Sequence, residues 1–211
     1  MEPSELIVAI PNKTLTYRKW RYSMATQWTS LILFLLMVAP TTAISSASIP
    51  RKSPEFIITE SSGKRVPLSS FKGKVVMIEF LFLKSPKCLS LATTMNKLGA
   101  DLGARGFQAI AVAFPAPGSG ASGPLVGYMV DYFKLNYPVG YADKNEVDRY
   151  LSRAQSEVLR IPQVVIIDRA GMIRAQTGGR DGNPRLEDEA FLRKMLDSLL
   201  KEGTSAGSTN R

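Results

Sequence analysis

The covalent chemistry open to this 211-residue chain narrows to one short segment, Ser85-Pro86-Lys87-Cys88. Cys88 is the single cysteine, and the chain has no histidine. Lack of imidazole removes Ser–His–Asp and Cys–His catalysis, histidine-ligated haem and histidine-containing zinc sites. One cysteine removes thiolate zinc clusters, iron–sulfur clusters and any intramolecular disulfide, so neither a metal nor a cofactor is expected. Two readings of Cys88 stand. In the first turn of a helix, unpaired N–H groups and the macrodipole favour a thiolate, and Lys84 and Lys87 add positive potential. A lone cysteine is equally a common buried and inert core residue. Ser85 has no imidazole to deprotonate it and is a poor nucleophile. Ser followed by Pro is instead a favoured pair for a helix start, which assigns Ser85 to capping or to a hydrogen bond with Cys88 or a ligand.

The elements that must position this segment are readable from periodicity. Val75–Leu83 is a nearly continuous apolar run, the pattern of a strand covered on both faces. Leu89–Leu102 is predicted helical, with Leu91, Met95, Leu98 and Leu102 on one side. Strands are expected at Phe56–Thr59 and Phe107–Phe114, and a short extended piece at Pro138–Ala142. Val66–Leu68 reads as an irregular continuation after the Gly63 turn. Helices are expected at Pro124–Leu135 and Glu146–Arg153. Val164–Asp168 and Met172–Gln176 form a hairpin, and Glu187–Lys201 a closing amphipathic helix. Alternating strands and helices that end in a hairpin and a helix predict an α/β sandwich with a mixed sheet.

A length of 211 residues with 45% hydrophobic content provides one substantial core with appendages. The formal charge is +9, but lysines and arginines are scattered. With no basic stripe bearing stacking aromatics, no nucleic-acid partner is expected; the charge reads as a solvated surface able to attract anionic partners or membranes. Residues 1–47 have the zones of an export signal. Arg18, Lys19 and Arg21 precede the apolar stretch Leu31–Ala39, and small residues follow through Ala43 and Ala47. The apolar core is short for a spanning helix, so a cleaved signal and an N-terminal membrane anchor both remain. The expected location is the periplasm or cell envelope, anchored or secreted. Residues 48–53 read as a linker, 54–202 as the folded domain and 203–211 as a disordered tail.

From about Pro54 to Leu200 the chain resembles a thioredoxin-like domain of the TlpA/ResA and AhpC-TSA (redoxin) group. Leu68-Ser69-Ser70-Phe71-Lys72-Gly73-Lys74 before Val75-Val76 is similar to that group's L-x-x-x-x-G-K-V-V lead-in. Ser85-Pro86-Lys87-Cys88 stands where the group writes C-P-x-C. Arg160-Ile161-Pro162-Gln163 followed by Val164–Gly171 is similar to its V-P-x-x-F-L-I-D-x-x-G segment. The resemblance implies a thioredoxin-like sandwich, a central mixed sheet flanked by helices with an N-terminal strand or hairpin extension. It also implies an active-site cis-proline at Pro162 beside the Ser85/Cys88 turn. In dithiol members the first cysteine attacks and the second resolves; with Ser85 in the attacking place that cycle cannot run within one chain. Peroxiredoxins carry P-x-x-x-[T/S]-x-x-C, and Ser85-x-x-Cys88 is similar to its second half. Leu81 stands where that motif has proline, and Arg160 is only a loose counterpart of its supporting arginine.

Gly118-Ser119-Gly120-Ala121-Ser122-Gly123 matches G-x-G-x-x-G, with Asp143 following 20 residues after Gly123. Pro115 and Pro117 separate it from the strand and Pro124 delays the helix, so it reads as a loop. The expectation is an exported thiol-dependent oxidoreductase or one-cysteine peroxidase acting through Cys88. Its partners would be an external thiol reductant, a protein disulfide or a peroxide. The alternative is a non-catalytic module that holds extended peptides in the groove beside Pro162.

Overall fold

The computed structural model describes residues 48–115, 122–154, 156–178 and 182–205. The expected signal or anchor therefore lies outside the described residues, as do Gly118–Ala121 of the glycine motif and residues 206–211. Among the described residues no helix is long and apolar enough to cross a membrane.

Eight strands form one mixed sheet in the order β1-β8-β7-β4-β5-β6-β2-β3. The central strand β4 (Val75–Leu81) is buried at every position. It runs parallel to β5 (Phe107–Ala113) and antiparallel to β7 (Gln163–Ile167). β5 continues parallel to β6 (Val139–Tyr141). The edges are antiparallel: β7 pairs with β8 (Met172–Gln176), and β6 with β2 (Ile57–Glu60). β2 in turn pairs with β3 (Arg65–Pro67). Val66–Leu68 is thus no irregular continuation: its first part is a strand, and Leu68–Phe71 turns into a 3-10 helix.

The expected linker also contains structure. Arg51–Lys52 forms β1 and pairs antiparallel with β8. The tie is made by side chains as well as backbone: Arg51 Nη2 donates to Gln176 Oε1 at 2.8 Å and to the Tyr150 carbonyl at 3.3 Å. Ser53 N–H donates to the Gly171 carbonyl at 2.9 Å.

Alternation along β4 divides the core in two. Val75, Met77 and Leu81 face one side, packed with Leu91, Met95 and Leu98 of helix α1 (Pro86–Leu102) and with Leu192, Leu196 and Leu199 of the last helix. Helix α2 (Gly123–Phe133) adds Val126 and Met129 to this side and starts one residue before the predicted Pro124. Val76, Ile78 and Phe80 face the other side, with Phe56 and Ile58 of the hairpin region. Val147, Tyr150 and Leu151 of helix α3 (Lys144–Leu151) complete it. The last helix, α4, spans Glu189–Ser205, with Asp188 Oδ1 accepting from the Phe191 N–H at 2.7 Å. It carries three residues that composition had placed in the tail. The predicted start at Glu187 falls instead in a separate 3-10 turn, Pro184–Glu187.

Candidate functional site

The Ser85–Cys88 segment begins just past the end of β4, where the chain turns into α1. Pro86 occupies the first helical turn, and Ser85 stands at the N-cap with extended backbone (φ −88°, ψ 117°). Its hydroxyl oxygen accepts the Cys88 N–H at 3.4 Å, a long cap bond. Proline at this place loses no helical hydrogen bond, and its fixed φ suits the start.

Cys88 is fully buried, packed among Leu91, Ala92 and the inner face of β4. Burial pushes its thiol pKa upward, and this outweighs the hydrogen bonds with the Ser85 side chain and the Phe82 backbone that favour the thiolate. Glu79 and Glu187 push it further up. The helix start thus does not produce a lowered thiol pKa, because loss of water and nearby carboxylates outweigh it. Lys84 and Lys87 are exposed and do not figure among the influences on the thiol.

The sequence reading passed over Glu79. It lies in the middle of β4, fully buried, opposite Val164 of β7 and Ala111 of β5. Strand alternation places it with Met77 and Leu81, on the side that carries Cys88. Neither carboxylate oxygen has a hydrogen-bond partner, and burial, then Glu187, holds its pKa well above the usual carboxylate range. Its charge acts on Cys88 and on Tyr137, whose hydroxyl donates to the Ala92 carbonyl at 3.1 Å and whose pKa is pushed up by burial. An orphaned buried carboxyl is costly to a fold and marks a place where chemistry is a reason to keep it. The available signal was a carboxylate interrupting a strand buried on both faces.

The Ile161–Pro162 peptide bond is cis, and Pro162 is buried at the entry to β7. Gln163 follows it and donates through Nε2 to the Arg160 carbonyl. The Arg160 side chain is exposed and makes no hydrogen bond or ion pair among the described residues, so nothing links its guanidinium to Cys88. It lines a cavity of about 330 Å³ with Arg153, Gln163, Gln176 and Glu187. Arg153 is held by Asp148, with Nη2 to Oδ1 at 2.5 Å and Nε to Oδ1 at 2.8 Å. Glu187 connects the two regions, bordering the cavity while its charge reaches Glu79 and Cys88. Among the described residues no group of three or more metal-ligating side chains occurs.

A mixed sheet flanked by helices, with a helix that starts at Ser85-x-x-Cys88, defines a thioredoxin-like protein. The model of the AhpC/TSA family matches residues 49–176, and the chain belongs to that family. It is similar to the thiol-disulfide oxidoreductase ResA of Bacillus thuringiensis, 24% identical over 147 residues that span 70% of this chain and 78% of the relative. Among solved structures it is similar to a putative protein disulfide isomerase from Bacteroides thetaiotaomicron. That match has a TM-score of 0.57 and 26% identity and covers 77% of this chain and 98% of the other. A putative thiol:disulfide interchange protein DsbE from Chlorobium tepidum matches with a TM-score of 0.57 and 24% identity, covering 73% and 99%.

Proposed function

We propose that this chain is an exported thiol-disulfide redox protein that reacts through Cys88 and depends on an outside thiol. The observation that carries the reading is the orphaned carboxyl of Glu79 on the side of the sheet that holds the thiol. Burial raises the Cys88 pKa and raises that of Glu79 well above its ordinary range, which makes the Glu79 carboxylate a stronger base than a carboxylate in water. Where Glu79 is ionised, its carboxylate takes the Cys88 proton and the thiolate is the nucleophile; where it still holds its own proton it cannot, so the reaction quickens as pH rises. Cys88 attacks one sulfur of a partner disulfide, forming the mixed disulfide and releasing the other sulfur as a thiolate, which is protonated. An external thiol attacks the mixed disulfide, restores the Cys88 thiol and leaves with the partner's sulfur. The names of the relatives support a disulfide as oxidant. A peroxide is the weaker candidate, because no guanidinium is hydrogen-bonded to Cys88 among the described residues. Export rests on the charged, apolar and small-residue zones of residues 1–47.

The test is incubation of the folded chain with oxidised glutathione across pH, followed by mass spectrometry. A glutathione adduct at Cys88 is expected, forming faster as pH rises, removed by dithiothreitol and slowed at least about tenfold in Glu79→Gln. A thiol that reacts only after unfolding would end the proposal.

Full burial of Cys88 favours a second reading, a binding module that holds an extended peptide beside Pro162. That reading predicts peptide binding unchanged in Cys88→Ser.

A further inference from the structure

A second cavity, of about 410 Å³, lies at the opposite end of β4 from Cys88, between the lead-in to β4, the segment after β1 and the β7–β8 turn. Seven strand residues at about 3.3 Å each separate the two places by about 20 Å, so an occupant here leaves the thiol free. The volume lies within the range of small-molecule sites. Its floor is apolar, with Leu68, Val76 and Ile167 buried and Phe71 half-buried.

The border of this cavity is cationic. Lys52, Lys72, Lys74 and Arg169 line it, and none makes an ion pair among the described residues. Arg169 is fixed through backbone carbonyls, with Nη1 to Gly73 at 3.0 Å and Nη2 to Arg105 at 2.8 Å, while its buried Nε has no partner. Its positive charge is therefore positioned but not neutralised. Lys74 reaches only the neutral Gln108, at 3.3 Å.

Two carboxylates share the border, and both are already engaged. Glu55 Oε1 accepts the Phe56 and Ser69 N–H groups at 3.0 and 3.1 Å. Asp168 Oδ1 accepts the Ala170 and Met172 N–H groups, each at 2.9 Å, and Oδ2 pairs with Arg174 at 3.1 Å. Against these four cations stands one carboxylate without an ion pair, Glu55, so the border remains net positive around an apolar floor, which attracts a negative head and accepts an apolar body.

We propose that this cavity binds an amphiphilic anion, a single acyl or aromatic body bearing a phosphate or carboxylate. The shared chemistry fits a soluble amphiphile and the headgroup region of an anionic lipid alike.

Titration calorimetry of the full chain with octyl phosphate tests this, with octyl glucoside and inorganic phosphate as controls. Octyl phosphate is expected to bind at least about tenfold more tightly than either control, and at least about tenfold more weakly to Lys52→Gln/Lys72→Gln. Both lysines are exposed, so an unchanged Tm is expected and shows that the variant is folded. Equal affinity for octyl glucoside, or no loss in the folded variant, overturns the proposal. Co-sedimentation with phosphatidylcholine vesicles containing phosphatidylglycerol separates the sources, comparing the original chain with the variant on the same vesicles. Sedimentation that octyl phosphate competes away and the variant loses assigns the site to lipid. Unchanged sedimentation with octyl phosphate binding intact assigns it to a soluble amphiphile, and either result upholds the anion site.

Discussion

Between the ordinary carboxylate pKa and the raised value that burial gives Glu79, the folded chain holds a proton that the unfolded chain has released. The folded state binds more protons in that window, so stability is highest below it and falls as pH rises through it. The slope is up to about 1.4 kcal/mol per pH unit. Glu79→Gln is expected to flatten that part of the stability curve, read as Tm or urea midpoint against pH. An equally steep curve in the variant would assign the slope to other groups. Tyr150 gives a similar but higher window: burial pushes its pKa up to about 12, so its contribution is lost only in strong alkali. At Cys88, the raised pKa predicts that iodoacetamide alkylation of the folded chain lags behind a free thiol at neutral pH. Ser85→Cys would place a second sulfur at the cap, and an intramolecular disulfide between positions 85 and 88 is expected on mild oxidation, detected as loss of titratable thiols. Glu79 shows why sequence fell short at this scale. The run Val75–Leu83 told that the strand is buried on both faces, but orphaning of one side chain depends on Ala111 and Val164, which come from distant parts of the chain.

Elements were more legible than sites because their signals are local. The Ser85-Pro86 pair marked the start of α1, and the apolar spacing of Leu91, Met95, Leu98 and Leu102 gave its inner face. Ser85→Ala removes the cap and is expected to cost about 0.5–2 kcal/mol in a urea titration, towards the lower end because the bond is long. The missed strands, β1 and β3, are two and three residues long and exist through pairing with β8 and β2. Nothing in a two-residue sequence announces a partner that arrives 120 residues later, as with Lys52 opposite Met172. The β6–β2 edge carries its own constraint at Gly140. A Cβ there would stand 2.4 Å from Ile58 Cγ2 and 2.6 Å from the Thr59 carbonyl oxygen, which is backbone and cannot swing away. Gly140→Ala is therefore expected to destabilise by about 1–3 kcal/mol, measured as a lower urea midpoint. Asp148 is buried and neutralises Arg153, which is buried with it. Asp148→Ala leaves that guanidinium uncompensated beside the 330 Å³ cavity, with an expected loss of about 3–5 kcal/mol.

Across the whole molecule, the eight-stranded sheet separates two ends with different chemistry. The end past β4 carries the thiol, and the end before β4 carries the cation-rimmed cavity. The net charge of +9 gave no hint of where cations gather, because Lys52, Lys72, Lys74 and Arg169 meet only after folding. The export expectation is tested at this scale by expressing the full chain in a bacterium and sequencing the N-terminus of envelope-fraction protein. A mature start at Ile44 or Ser48 supports a cleaved signal, and an intact Met1 in the membrane pellet supports an anchor. Soluble, full-length protein confined to the cytoplasm would remove the export reading.

The oxygen of Ser85 has a kinetic consequence. In the proposed cycle, a partner captured on Cys88 would find no second thiol within the chain to release it, because the chain contains only one cysteine. The dwell time of such a covalent complex would be set by the thiol concentration of its surroundings, so the pair would persist where thiols are scarce and dissolve where they are plentiful.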